Sequence, residues 1–206
     1  MVATIAAGNS AAALTAAALQ YHARGWCVIP TVGKRAKTGW KKYQTERLSK
    51  DDLRSLFAQP GVTGVAVLLG SASGGLACRD YDSLDAFEGW KGKNPQLADR
   101  LPTVQTGRGR HLYFRGPEGF CDCGDGEYRA KSSHYCLLPP SRHPDGPTYQ
   151  WLIRLPSGDL PEIDPYHTGL VPGETERTER TEEMWGVGGD LCPLCPLCLS
   201  YHYPER

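Results

Sequence analysis

Asp80 and Asp82 stand two residues apart at the end of the apolar run Leu76-Ala77-Cys78. On an extended strand that spacing puts both side chains on one face. Two neighbouring carboxylates repel each other, and a divalent cation is the usual reason to hold them together. Short Asp-x-Asp stretches also occur as solvated turns, so the pair by itself only nominates a site. A second nomination comes from Gly107-Arg108-Gly109-Arg110 and the strand-like His111-Leu112-Tyr113-Phe114-Arg115. Alternation sends His111, Tyr113 and Arg115 to a common face. A lone strand histidine is more often a packing or surface residue. Directly after a glycine-arginine turn it can instead reach a phosphate, with backbone N–H groups and guanidinium forks beside it. The turn lacks a Gly-Lys-Ser/Thr ending and is not a P-loop. Further on, Glu127 and Arg129 share a face where another strand begins.

The elements that must position these residues follow from punctuation and periodicity. Asn9 or Ser10 caps a helix over 11–24, with Leu14, Ala17, Ala18 and Tyr21 on one face and Gly25 as its terminator. Residues 26–30 read as a buried strand and 31–43 as a basic loop. Ser49 and an acidic first turn open a helix over 51–58, which Pro60-Gly61 breaks. A second buried strand spans 62–69, and a turn over 70–75 leads into the acidic strand. Ser83 caps a helix over 84–91. Strands are expected at 103–106, 111–115, from 127, at 134–138 and at 148–152. Residues 116–126 read as a loop, and Cys121 and Cys123 within it are too close together to serve one zinc site. The fold class is mixed α/β, in the α+β sense.

Composition bounds the function classes. A chain of 206 residues, 40% hydrophobic and 22% charged, supports one substantial core and a small appendage. Formal net charge is zero, so the global field argues neither for nor against nucleic acid. Its distribution is uneven. Lys34, Arg35, Lys37, Lys41 and Lys42 crowd a loop where a polyanion can dock, although a solvated basic face is the commoner explanation of such a run. Eight cysteines without a convincing signal peptide read as reduced thiols in an intracellular, cytoplasmic protein, and no run is long enough to span a membrane.

From residue 164 the composition shifts. The main folded domain is placed at 9–163, a disordered acidic linker at 164–190, and a terminal piece at 191–206. That piece carries Cys192, Cys195, Cys198 and His202, a Cys3His set suited to Zn2+. Four ligands in so short a span are sterically demanding, and an unstructured or truncated knuckle is an equal reading.

The ordered series of motifs resembles a known family. The series runs from the helix ending in Arg24-Gly25-Trp26 and the strand ending at Pro30, through a Gly-Lys-Arg loop and Trp40, to Asp80-Tyr81-Asp82. It continues with Thr106-Gly107-Arg108-Gly109-Arg110-His111, Glu127-Tyr128-Arg129, Leu138-Pro139-Pro140-Ser141, His143-Pro144 and Tyr149-Gln150-Trp151. It resembles the N-terminal primase-polymerase domain of bifunctional replication proteins of plasmids, phages and mobile elements, within the archaeo-eukaryotic primase superfamily. The match covers roughly 17–151. The resemblance implies two packed α/β units, one like an RNA-recognition motif. It implies Mg2+ or Mn2+ held by Asp80 and Asp82, with Glu127 where a third acid, more often Asp, is usual. It places His111 at the incoming nucleotide's phosphates and Arg129 two residues past the third acid. Arg108 and the stretch 130–134 depart from the family's usual small or glycine-rich residues.

The resemblance makes the leading expectation a template-dependent DNA primase and polymerase domain, performing metal-dependent nucleotidyl transfer during replication. Such transfer uses two cations about 4 Å apart. His111, Arg129, Arg110 and Lys131 would balance the triphosphate, and the basic loop would track a single-stranded template. A catalytically inactive relative that only binds nucleic acid is the alternative. A third reading, an Asp-x-Asp metal site for a nucleotide sugar, fits the Gly-Arg-Gly-Arg-His strand poorly. Family members are commonly fused to a helicase, so unwinding is expected from another chain, or the chain is a fragment.

Overall fold

The computed structural model describes residues 11–143 and 146–173. The proposed terminal zinc ligands and most of the expected acidic linker lie outside the described residues. Helix α1, Ala11–Ala23, buries Leu14, Ala18 and Tyr21 and ends at Gly25, whose φ of 90° suits glycine. Strand β1, Val28–Val32, forms a hairpin with the two-residue β2, Arg35–Ala36, inside the stretch read as a loop. That strand runs past Pro30, the expected end. β2 pairs only with Thr31 and Val32, so the proline falls just beyond that pairing. Helix α2, Lys50–Phe57, starts with a capping box: Ser49 Oγ accepts from Asp52 N at 3.1 Å, and Ser49 N donates to Asp52 Oδ2 at 3.1 Å.

Strand β3, Gly64–Leu68, is buried at every position. β3 lies between β1 and β9, Tyr135–Leu138, in a four-stranded antiparallel sheet of order β2-β1-β3-β9. Continuous burial explains why its sequence reads as an unbroken apolar run rather than an alternation.

The second sheet holds the candidate site. Strand β4, Leu76–Tyr81, leads to helix α3, Leu84–Lys93, capped by Ser83 Oγ accepting from Ala86 N at 3.2 Å. A short α4, Pro95–Ala98, follows. Strands β5 (Thr103–Gln105), β6 (Arg110–Arg115), β7 (Phe120–Asp122), β8 (Gly126–Arg129) and β10 (Gln150–Ile153) complete six antiparallel strands in the order β10-β5-β6-β4-β8-β7. β7 occupies what was expected to be loop. Its Cys121 and the following Cys123 are both buried, so packing accounts for the Cys-x-Cys pair.

Alternation splits the six-stranded sheet. Leu76, Cys78, Val104 and Tyr113 join a core shared with the four-stranded sheet, α1 and α2. Ala77, Tyr81, Leu112, Phe114 and Tyr128 join a second core with Phe87 and Trp90 of α3. The architecture is therefore mixed α+β, with a helix pair against each sheet. The packed chain also runs beyond the expected boundary at residue 163. Leu170 and Val171 are buried, and the Leu170 and Thr168 carbonyls accept from Arg79 Nε at 2.6 Å and Trp90 Nε1 at 2.9 Å.

Candidate active site

Asp80 lies near the end of β4, the central strand of the sheet's site-bearing region. Its register partners are His111 on β6 and Glu127 on β8. Directly opposed residues on antiparallel strands share a face and hold their Cβ atoms about 4.5–5.5 Å apart. Pairing therefore gathers three residues that are far apart in sequence. Two glycines permit the close approach of the flanking chains. A Cβ on Gly109 would fall 1.7 Å from the Tyr81 carbonyl oxygen, and one on Gly126 would fall 2.0 Å from that of Asp80. Gly126 also has a φ of 136°, a region that side-chain-bearing residues avoid.

Each Asp80 oxygen faces a cationic group. His111 Nε2 is 3.3 Å from Oδ1 and Arg129 Nη2 is 3.5 Å from Oδ2. Arg129 Nε also pairs with Glu127 Oε2, so one guanidinium bridges two carboxylates. Burial disfavours the charged form of Asp80, but His111 and Arg129 together outweigh it and hold the carboxyl below its usual range. Burial likewise opposes charge on His111, and the Asp80 carboxylate overrides it and raises the imidazole.

Tyr113 Oη donates to the Leu137 carbonyl at 3.2 Å and lies 3.0 Å from His111 Nδ1, which it can accept from. Nε2 is left facing Asp80 Oδ1 at 3.3 Å, the arrangement that favours the charged imidazole.

Asp82, exposed just beyond β4, lines a cleft of about 80 Å³ with Asp80, His111, Lys34, Arg108 and His143. Its backbone N–H donates to the Asp125 carbonyl at 3.0 Å. Glu127 and Arg129 open instead onto a neighbouring hollow with Phe120, Ser133, His134 and Tyr135, where the Phe120 and His134 rings stack 5.0 Å apart.

Among the residues singled out from the sequence, Asp80, Glu127, His111 and Arg129 are joined by strand register or ion pairs, and Asp82 lines the cleft beside Asp80 and His111. Arg110 does not. One residue from His111, it belongs to the opposite face, donates to the Gly109 carbonyl at 2.9 Å and lies 6.0 Å from the Phe87 ring centroid. Lys131 sits in the turn after β8, where its carbonyl accepts from His134 N at 2.9 Å. In the basic loop, Lys34 reaches the cleft, Arg35, Lys41 and Lys42 are exposed, and Lys37 Nζ is engaged with the Pro60 carbonyl. Lys42 Nζ lies 5.0 Å from the Tyr43 ring centroid.

Three further residues contribute to the site. Arg108 and His143 line the cleft, and Tyr113 orients the imidazole. Tyr113's position two residues from His111 on a strand was the available signal. Beside His111 lie two further buried side chains, Cys78 and Cys136. Burial, then the neighbouring Cys136, raises the Cys78 thiol. The Cys78 contact, aided by His111 and Arg129, lowers that of Cys136.

Carboxylates are hard oxygen donors of the kind that hold Mg2+ or Mn2+; Asp80 and Glu127 are register partners, and Asp82 lies just beyond the end of β4. The family description "Bifunctional DNA primase/polymerase, N-terminal", Prim-Pol, matches residues 18–163. The chain belongs to this family, and its domain is of the primase/polymerase type. No curated protein matches the chain. Among the described residues no helix is long and apolar enough to cross a membrane.

Proposed function

We propose that this domain performs template-dependent nucleotidyl transfer, as a DNA primase and polymerase, with Asp80, Asp82 and Glu127 as the carboxylates that hold Mg2+ or Mn2+. The observation that carries the reading is the cross-strand alignment of Asp80 with His111 and Glu127, beside an exposed Asp82. When bound, the metal would activate the attacking hydroxyl and neutralise the leaving pyrophosphate. His111, fixed through Tyr113, offers a charged donor to a phosphate oxygen; Arg129 offers a guanidinium fork. Lys34 and Arg108 supply positive charge to the cleft. Lys34, Arg35, Lys41 and Lys42 suit the backbone of a single-stranded DNA template. Arg110 is left out of the nucleotide site because it faces α3. Lys37 contributes less to template binding than its exposed neighbours because its ammonium is engaged. We assign 9–172 to the catalytic domain, because the segment after residue 163 packs on it.

A second reading, a nucleic-acid-binding module without catalysis, draws on the fact that both Asp80 oxygens already face cations. The test is incorporation of labelled nucleotides on a single-stranded DNA template with Mg2+ or Mn2+, with and without a primer. It is run beside the double substitution Asp80→Ala, Asp82→Ala. Metal-dependent product from the unsubstituted chain alone supports the polymerase. No product from a chain that still binds template leaves the binding module.

A further inference from the structure

Cys78, His111 and Cys136 come from β4, β6 and β9, two strands of one sheet and one of the other. Their ligand atoms all lie within 4.8 Å of one another, and all three residues are buried. We propose that Cys78, Cys136 and His111 form a binding site for a soft divalent cation of the zinc class, joining the two sheets beside Asp80.

The donor chemistry separates this site from the carboxylates next to it. Thiolate and imidazole select zinc-like ions, whereas carboxylates select magnesium and manganese. Metal–ligand lengths of about 2.3 Å to sulfur and 2.0 Å to nitrogen set tetrahedral donors about 3.5–3.8 Å apart. With ligand atoms no more than 4.8 Å apart, the cluster needs a contraction of about 1.3 Å at most to meet that geometry. The supporting contacts are present. His111 has polar partners at both nitrogens, Tyr113 and Asp80, so one stays to orient the ring when the other nitrogen binds. Arg129 Nη1 lies 3.6 Å from Cys136 Sγ and favours its thiolate. Two thiolates outweigh the single guanidinium in the local charge balance. Occupancy requires both thiols and the imidazole to be deprotonated, and those protons pass to solvent. Binding this ion requires no nucleotide, but a metal-bound His111 is neutral and cannot act as the charged phosphate donor, so the two uses of His111 exclude each other.

The test uses the full chain with Cys192, Cys195 and Cys198 replaced by serine, so that the terminal cysteines cannot contribute. The chain is kept under a phosphine reductant and titrated with Co2+, then with competing Zn2+. One equivalent of Co2+ should produce thiolate-to-cobalt charge-transfer absorption and tetrahedral d–d bands, both erased by Zn2+. Cys78→Ser and Cys136→Ser should each weaken Co2+ binding at least tenfold. A parallel measurement keeps the assignment falsifiable if either substitution unfolds the chain. In the parent, Zn2+ but not Mg2+ should slow alkylation of Cys78 and Cys136 at least tenfold, mapped by peptide mass. Absence of the charge-transfer band in the parent, its full retention in both folded variants, or zinc-independent alkylation of the two thiols would overturn the site.

Discussion

The two faces of the six-stranded sheet use the same residue types for opposite ends. Both carry an arginine on or beside an acid. On the helix-covered face, Arg79 is 1% exposed. It donates to the Leu170 and Asp80 carbonyls, pairs with Asp125 Oδ1 and lies 3.9 Å from the Tyr81 ring centroid. Its Nε ties the chain at Leu170 to the sheet, while the two terminal nitrogens engage β4 itself and the turn at Asp125. On the other face, Arg129 bridges Glu127 and Asp80 at the mouth of a hollow. Its side chain is 24% exposed, so a ligand can compete for it. A buried cation held by two carbonyls and an acid is structural; a half-buried one shared between two acids is available for exchange.

The largest effect expected from this contrast is on the open face. Asp80→Ala should lower nucleotide incorporation by about 10³-fold, the upper end for losing one electrostatic group at a reaction centre. Circular dichroism should remain that of the folded chain. Retained activity would remove the open face from catalysis.

Arg79→Ala should do the reverse, affecting the fold before the chemistry. Breaking a buried pair from one side costs about 3–5 kcal/mol, and Asp125, 32% exposed, regains some hydration, so the lower figure is expected. Urea denaturation measures it. A loss below about 1 kcal/mol would show that the two arginines differ less than their burial implies.

The pH response is smaller and has a definite sign. His111 is raised in the folded chain, so its contribution to stability is complete below its unfolded value of about 6.5 and fades as pH rises through the folded value. Asp80 is lowered, so its contribution is present above about 3.9 and is lost as pH falls through the folded value. In metal-free protein, Asp80→Asn should therefore destabilise more at pH 6 than at pH 9. It should also move the His111 titration, followed by NMR, toward lower pH. An unmoved titration would detach the histidine from the aspartate.

The smallest expected effect is that of Arg110→Ala. This arginine neighbours His111 in sequence but faces α3, so incorporation should change by less than about threefold, as for a residue away from the reacting groups. A much larger loss in a folded variant would mean that the two faces communicate at the turn over 107–109.

Local chemistry made much of this legible from the sequence. Gly25, Ser49 and Ser83 marked helix limits because capping depends on adjacent residues alone. The i, i+2 spacing of Asp80 and Asp82 was legible too, although β4 ends at Tyr81 and leaves Asp82 just beyond the strand. The short β2 and β7 were not legible, because two- and three-residue strands exist only through their partners and carry no periodicity of their own. Cys121 and Cys123 illustrate the same limit, since burial against a sheet cannot be read from a Cys-x-Cys spacing.

By itself, then, the sequence determined the paired acids, the helix caps, the buried runs and the ordered motifs that mark the family. Tertiary structure alone decided which distant residues meet. Register across three strands set His111 and Glu127 opposite Asp80, while pleating turned Arg110 away from its neighbour. Packing of one sheet on the other brought Cys136 to Cys78 and His111. These are long-range choices, fixed by pairing and by burial of both sheets' inner faces, and no local propensity encodes them.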